Sequence, residues 1–346
     1  MTPEFAAAVD AQTEFAGDAF DRLRAASIDV RGVTRASYGA GEQAAHALMA
    51  EIAAGLGLEV TRDAAANTYM TWPGLDRSKP IRMVGSHLDS VPQGGNFDGA
   101  AGVVSGLTAI RALQSLGHRP AQDISVMGVR AEESCWFGVS YIGSRAALGV
   151  LPEGALESAR RMDDGGTLAE HMARCGGDPD RVAEGPAHLA VERIAAFLEP
   201  HIEQGPVLVE EGYPTGIVTG IRGNRRFPNA RCFGEYAHCG GAPRRVRQDA
   251  VVAASAFVQA LDRLWDAADA AGEDFACTFG KFQTDAERHA MTVISGEVAF
   301  TLDMRSVDPA MLARLETVVP ALAEEIAAAR GVRFDLGPIT RAAPGV

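Results

Sequence analysis

The segment Ile81-Arg-Met-Val-Gly-Ser-His87-Leu-Asp89 leads out of a short apolar run into a histidine and an aspartate, and a glycine-rich loop then reaches Gly95-Asn-Phe-Asp98-Gly99. A second run, Ile124–Val129, delivers Ala131-Glu132-Glu133. Both runs are bounded by polar segments, and a helical stretch at 102–116 separates them, which predicts α/β architecture with a mainly parallel central sheet and covering helices. In such sheets the ligand crevice lies beyond the carboxyl ends of the strands. His87 and the two glutamates are therefore expected on one rim.

Working outward, Leu48, Met49, Ile52 and Leu56 follow helical spacing and stop at Gly57, after which an extended piece begins. From about 215 to 335 the pattern changes: two amphipathic helices, near 249–270 and 309–330, flank strand-like runs such as 297–304. Asp308 is the expected N-cap of the second helix, Pro309 its first residue and Gly331 its stop. Leu312, Leu315, Val318, Leu322 and Ile326 give it one apolar stripe, and Pro320 is expected to kink or interrupt it. Two helices on one face of an antiparallel sheet make a compact inserted domain whose open edge suits a homodimer contact.

With 346 residues and 47% apolar composition the chain is long enough for two domains. A formal charge of -13 argues against nucleic acid or an anionic membrane as partner and leaves small molecules. The five cysteines are scattered without a C-x-x-C, so no disulfide framework or thiolate zinc site is indicated. The N-terminus lacks the features of a secretory signal and no apolar segment approaches the roughly 20 residues of a membrane span, which reads as cytoplasmic.

Imidazole and carboxylate are the ligands that a zinc or manganese ion takes from a hydrolase, and a pair of metals sharing a carboxylate can position a carbonyl and generate hydroxide near neutral pH. His87 and Asp98 fit a first metal, with Asp98 as the candidate bridge. A lone histidine near an aspartate is usually structural; the combination carries the reading. Gly94, Gly95, Gly99 and Gly102 allow a tight turn around Asp98, while Asp89 is placed to bond the far nitrogen of His87 and fix its tautomer. Acidic pairs such as Glu324-Glu325 are ordinarily solvated, but Glu132-Glu133 end an apolar strand and run into Ser134-Cys-Trp-Phe137. Strand alternation would point their side chains opposite ways, one to ligate metal and one to act as base.

The segments GSHLDSVPQGGNFDG, AEES followed by GSRA (Gly143 to Ala146), PHIEQGPVL (Pro200 to Leu208) and FTLDMRS (Phe300 to Ser306) resemble the metal-dependent family of N-carbamoyl-L-amino-acid hydrolases, ureidopropionases and allantoate amidohydrolases, relatives of dinuclear-zinc aminopeptidases. The resemblance runs along nearly the whole chain, and HIEQGP is specific to the carbamoyl-type branch. It implies a zinc-aminopeptidase-like catalytic domain at 1–214, an inserted α+β dimerisation lid at 215–335, and at 336–346 the start of a return to the catalytic domain. It implies that His201 joins His87 and Asp98 on one metal, that Asp98 and Glu133 hold the second, and that Glu132 shuttles a proton between attacking water and leaving nitrogen. His238 resembles a lid histidine that stabilises the oxyanion across the dimer. Gln204 and Arg305 match substrate-binding positions, Arg305 as a fork for a substrate carboxylate. Taken alone, His201 reads as a satisfied core histidine, while a surface strand-end arginine is only the alternative to the substrate-binding reading of Arg305.

Three departures qualify the expectation. Thr292-Val-Ile-Ser295-Gly stands where the family has Asn-Val-Ile-Pro-Gly, so Thr292 replaces a substrate-orienting amide. Trp136 stands where an arginine is common. Family members also continue into a Gly-His-Asp motif supplying the last ligand of the second metal, and none follows Gly331, so the chain reads as a fragment or truncated product. The complete site takes two divalent ions, zinc or manganese; one, or weakly two, are expected here. The expected function is hydrolysis of a linear carbamoyl, ureido or amide bond in a small carboxylate-bearing substrate. The alternatives are a silent homologue acting as a dimeric binding protein and a peptidase of the broader superfamily.

Overall fold

The computed structural model describes residues 2–345 and divides into two compact units, Met1–Tyr213 and Pro214–Val346. In the first unit the strands β1 (Glu59–Arg62), β2 (Thr68–Trp72), β3 (Ile81–His87), β4 (Ile124–Val129) and β5 (Ile194–Leu198) form a sheet in the order β1-β2-β4-β3-β5. β3 runs parallel to β4 and to β5, whereas β2 is antiparallel to both of its neighbours. The parallel trio carries the site, because its three carboxyl ends lie side by side.

Helices α1 (Pro3–Asp10), α2 (Thr13–Ser27), α3 (Ala40–Gly55) and α4 (Ala100–Ser115) precede or separate these strands. α2, α3 and α4 bury Leu23, Met49, Val103, Val104 and Leu107 with Met70 and Val126 of the sheet. Each such side chain contributes about 1.5–3 kcal/mol on burial. A smaller cluster of Tyr69, Met83, Met127 and Val129 forms a separate part of the core. β5 is an edge strand and leaves Phe197 41% and Leu198 66% exposed.

In the second unit β6 (Gly223–Phe233), β7 (Ala237–His238), β8 (Ala276–Thr278), β9 (Phe282–Thr284), β10 (Val293–Ile294), β11 (Glu297–Ser306), β12 (Arg333–Asp335) and β13 (Thr340–Ala342) pair antiparallel, six of them in one sheet built on β6 and β11. Alternate residues of β11, among them Phe300, Leu302 and Met304, are buried under two helices, Ala250–Ala271 and Pro309–Arg330. Asp249 and Asp308 cap these helices through their side chains, and Gly331 ends the second in the left-handed conformation. Residues 336–345 fall in this unit, where β13 pairs with β6 and Gly345 bridges Ile221.

Pro320 does not interrupt its helix, which runs continuously from Pro309 to Arg330. The missing N–H costs about 3 kcal/mol or more in a helix interior. Burial of Met311, Leu312, Leu315, Val319 and Ala323 against the sheet is larger and holds the helix through the defect.

Candidate active site

His87 is the last residue of β3, the Glu132-Glu133 pair follows the end of β4, and His201 lies just past β5. The loop after β3 returns Asp98 to the same place. The His87 and His201 Nε2 atoms are 3.3 Å apart, and Asp98 Oδ1 lies 3.6 Å from the first and 3.2 Å from the second. Asp98 Oδ1 is buried without a hydrogen-bond partner. Nitrogen and oxygen ligands at about 2.0–2.1 Å from a tetrahedral zinc sit roughly 3.3 Å from one another. The three atoms therefore fit a divalent cation by spacing, by chemistry and by the orphaned oxygen. Donor atoms of His87, Glu132 and Glu133 converge in a second, overlapping group within 4.8 Å.

The electrostatics follow from this crowding. Burial opposes a charge on His87, but the neighbouring carboxylates of Asp89 and Asp98 outweigh it and push its pKa up to about 11. His201 is raised chiefly by Asp98, and the two imidazoles hold the Asp98 carboxyl far below the usual carboxylate range. Burial raises Glu132, and burial together with Glu132 pushes Glu133 up to about 7. A bound cation would displace protons from such a set, since imidazole and carboxylate ligate in their deprotonated forms.

Asp89 is the hub of the supporting bonds. Its backbone oxygen and Oδ1 lie 3.0 and 3.3 Å from His87 Nδ1, it accepts from Ser37 Oγ at 2.6 Å, and its two carboxylate oxygens each accept a backbone N–H, from Glu132 and Glu133 at 3.1 Å. The fully buried Arg35 guanidinium ties Leu88 O, Asn96 and Asp98 O together. Ser86 Oγ donates to Glu199 at 2.6 Å and staples β3 to the segment carrying His201. Sequence reasoning missed Arg35, Ser37, Ser86 and Glu199, because a polar residue in an otherwise ordinary strand or loop does not announce its partner.

The expected divergence of Glu132 and Glu133 is corrected by the structure. β4 ends at Val129, and Ala131 adopts a left-handed φ of 51°, so the alternation stops before the glutamates and both carboxylates reach toward His87. That conformation costs about 1–2 kcal/mol at a non-glycine residue. Gln204, expected at the substrate, donates to Asp98 Oδ2 at 2.7 Å. Trp136 is buried in a local core and its Nε1 donates to Ser90 O at 2.7 Å, so here the ring packs and anchors the loop.

His238, Thr292 and Arg305 belong to the second unit. β7 and β10 place His238 opposite Val293, next to Thr292. His238 is exposed and its Nδ1 accepts from Gly240 N at 3.2 Å, so the neutral ring carries its proton on Nε2 and presents it as a donor. Arg305 is also exposed and contacts Asp303 Oδ2 through Nε and Nη2 at 3.2 and 2.9 Å.

Gly99 supplies a direct test of how tightly the metal-facing histidine is held. Its φ is 63°, and a Cβ would fall 2.5 Å from the His87 ring. Gly99→Ala is expected to lower the unfolding free energy by about 2 kcal/mol or more and to reduce metal uptake, read by thermal melting and by metal content per chain.

The chain is also similar to known proteins. Residues 67–152 match Peptidase family M28. An N-carbamoyl-L-amino acid amidohydrolase of Geobacillus stearothermophilus is 35% identical over 317 residues, covering 90% of this chain and 74% of the relative. A probable allantoate deiminase of Oryza sativa subsp. japonica is 30% identical over 271 residues, covering 73% of this chain and 54% of that protein. The crystal structure of an amidase of the hydantoinase/carbamoylase family from Burkholderia multivorans superposes with a TM-score of 0.83 at 29% identity, covering 96% of this chain and 78% of the other. Carrying a His/Asp/Glu cluster at the carboxyl ends of its parallel strands, the chain belongs to the hydantoinase/carbamoylase family of metal-dependent amidohydrolases, enzymes acting on carbon–nitrogen bonds other than peptide bonds.

Proposed function

We propose that the chain hydrolyses the carbamoyl or ureido bond of a small carboxylate-bearing compound, such as an N-carbamoyl amino acid, a ureidopropionate or allantoate. The observation that carries this reading is the convergence of His87, Asp98 and His201 with Glu132 and Glu133 in a chain 35% identical to a carbamoyl-amino-acid amidohydrolase. His87, Asp98 and His201 would hold one divalent ion, zinc or manganese, and Glu133 with Asp98 a second and weaker one. A bound cation lowers the pKa of water and polarises a carbonyl. Glu132 takes the proton of the attacking water and delivers it to the leaving nitrogen. Asp89 fixes the His87 tautomer, which leaves Nε2 free to ligate.

His238 would present its Nε2 proton to the developing oxyanion across a homodimer, and Arg305 would exchange Asp303 for the substrate carboxylate. Thr292 would line the same region as His238. Five free thiols support a reducing compartment, hence the cytoplasm. No helix among the described residues is long and apolar enough to cross a membrane. The named relatives favour neither a silent binding protein nor a peptidase.

The test is a panel of N-carbamoyl-L-amino acids, ureidopropionate, allantoate and dipeptides, with ammonia or free amine measured on protein loaded with zinc or manganese. Turnover of ureido or carbamoyl compounds, lost on chelation and regained on metal addition, is the expected result. Cleavage of dipeptides alone, or no turnover by loaded protein, would overturn the reading.

A further inference from the structure

The peptide that carries the two glutamates hangs from side chains. Its four successive N–H groups are each taken by a side-chain oxygen: Arg130 N by Asn67 Oδ1 at 2.8 Å, Ala131 N by Glu42 Oε1 at 2.8 Å, and Glu132 N and Glu133 N by Asp89. Its carbonyls are taken by N–H groups at the start of the helix Ile142–Ala147, from Tyr141, Ile142 and Gly143. Every bond on the N–H side thus comes from a residue at least 40 positions away in sequence.

Glu42 is the member of this set that acts where the chain turns. It lies in the first turn of α3, it is fully buried, and its other oxygen accepts from Tyr38 N at 2.7 Å and Arg130 Nη1 at 2.9 Å. Arg130 is itself fully buried and reaches Ala66 O and Gln43 Oε1 with its remaining donors. Burial pushes the Glu42 carboxyl up to about 7 against the pull of Arg130. Its hydrogen bonds all come from donors, Tyr38 N, Arg130 Nη1 and Ala131 N, so the carboxylate is the form they satisfy.

We propose that Glu42, backed by Arg130, is a positioning residue that holds Ala131 in its left-handed turn and so aims Glu132 and Glu133 together at His87. The role rests on the function proposed above for those glutamates, and its geometry is independent of it. An amide at position 42 has one oxygen to offer. It must turn its NH2 either toward Ala131 N–H, which loses one hydrogen bond, or toward the Tyr38 and Arg130 donors, which loses two. Shortening to aspartate keeps the counter-ion of Arg130 while withdrawing the oxygen from Ala131.

In metal-free protein, amide exchange followed by mass spectrometry is expected to be about 10-fold faster at 130–133 in Glu42→Gln and Glu42→Asp, with the helix Ala250–Ala271 unchanged. In metal-loaded protein kcat is expected to fall about 10- to 100-fold while KM stays within about 3-fold, since the reacting carboxylates are misplaced and the substrate contacts are not. Adding Ala131→Gly to Glu42→Gln should restore part of kcat, because glycine enters the positive-φ region without help. Where the amide variant fails to fold, the aspartate variant decides. Unchanged exchange at 130–133 in the folded variants, or a fall in stability with kcat intact, overturns the proposal. Wild-type protein without turnover would sink the functional reading alone, and the exchange measurement would still decide this one.

Discussion

Glu132→Gln is expected to lower kcat by about 10²–10⁴-fold, the range in which positioned acid–base groups contribute. The substitution preserves shape, and the Glu132 N–H bond to Asp89 belongs to the backbone and survives it. What it removes is the ability to accept and return a proton. In the metal-free site burial holds Glu132 above the ordinary carboxylate range, and a bound cation would draw it back down. As a base it must be ionised, so turnover rises with pH as Glu132 loses its proton, and the acid limb of the profile should vanish in the glutamine variant. His87, Asp98 and His201 are untouched, so metal content should remain that of the wild type. Initial rates across pH, paired with metal analysis of the same sample, check both halves. A variant retaining more than about a third of wild-type kcat would remove Glu132 from the mechanism.

Asp98→Asn is expected to abolish metal retention, weakening zinc or manganese binding by more than about 100-fold and reducing hydrolysis to background. Asp98 Oδ1 is the one anionic atom that both Nε2 donors face. The neutral amide removes the attraction for a cation and can turn an NH2 toward the imidazoles. In metal-free protein the pKa values of His87 and His201 should also fall, because Asp98 contributes to raising both. Competition with a metal-sensitive dye measures the first effect and histidine titration by NMR the second. Wild-type metal affinity in this variant would show that the ion sits elsewhere.

Much of the site was legible because its chemistry lies where periodic strands stop. His87 ends β3, the glutamates follow β4, and the segment with His201 follows β5. The caps and extent of the helix Pro309–Arg330 were equally plain, since Asp308, Pro309 and Gly331 act locally. The orientation of Glu132 and Glu133 was not legible. Alanine carries no preference for a left-handed turn, and the conformation of Ala131 is held by Glu42 and by the Asn67 and Asp89 bonds on either side, contacts between residues far apart in sequence. Glu42 itself looks like an ordinary first-turn acidic residue favoured by the helix dipole; only tertiary packing reveals that it is fully buried. That the helix continues through Pro320 was hidden for the converse reason, a local rule outweighed by burial of the helix around it.

The two oxygens of Asp98 are chemically unequal neighbours. Oδ1 faces the imidazoles with no competing donor, whereas Oδ2 already holds the amide of Gln204. A cation held at Oδ1 would meet no competing donor, whereas one held at Oδ2 would share that oxygen with the Gln204 amide. Two ions taken up on such unequal oxygens would differ in affinity, so a metal titration is expected to fill them in two separated stages.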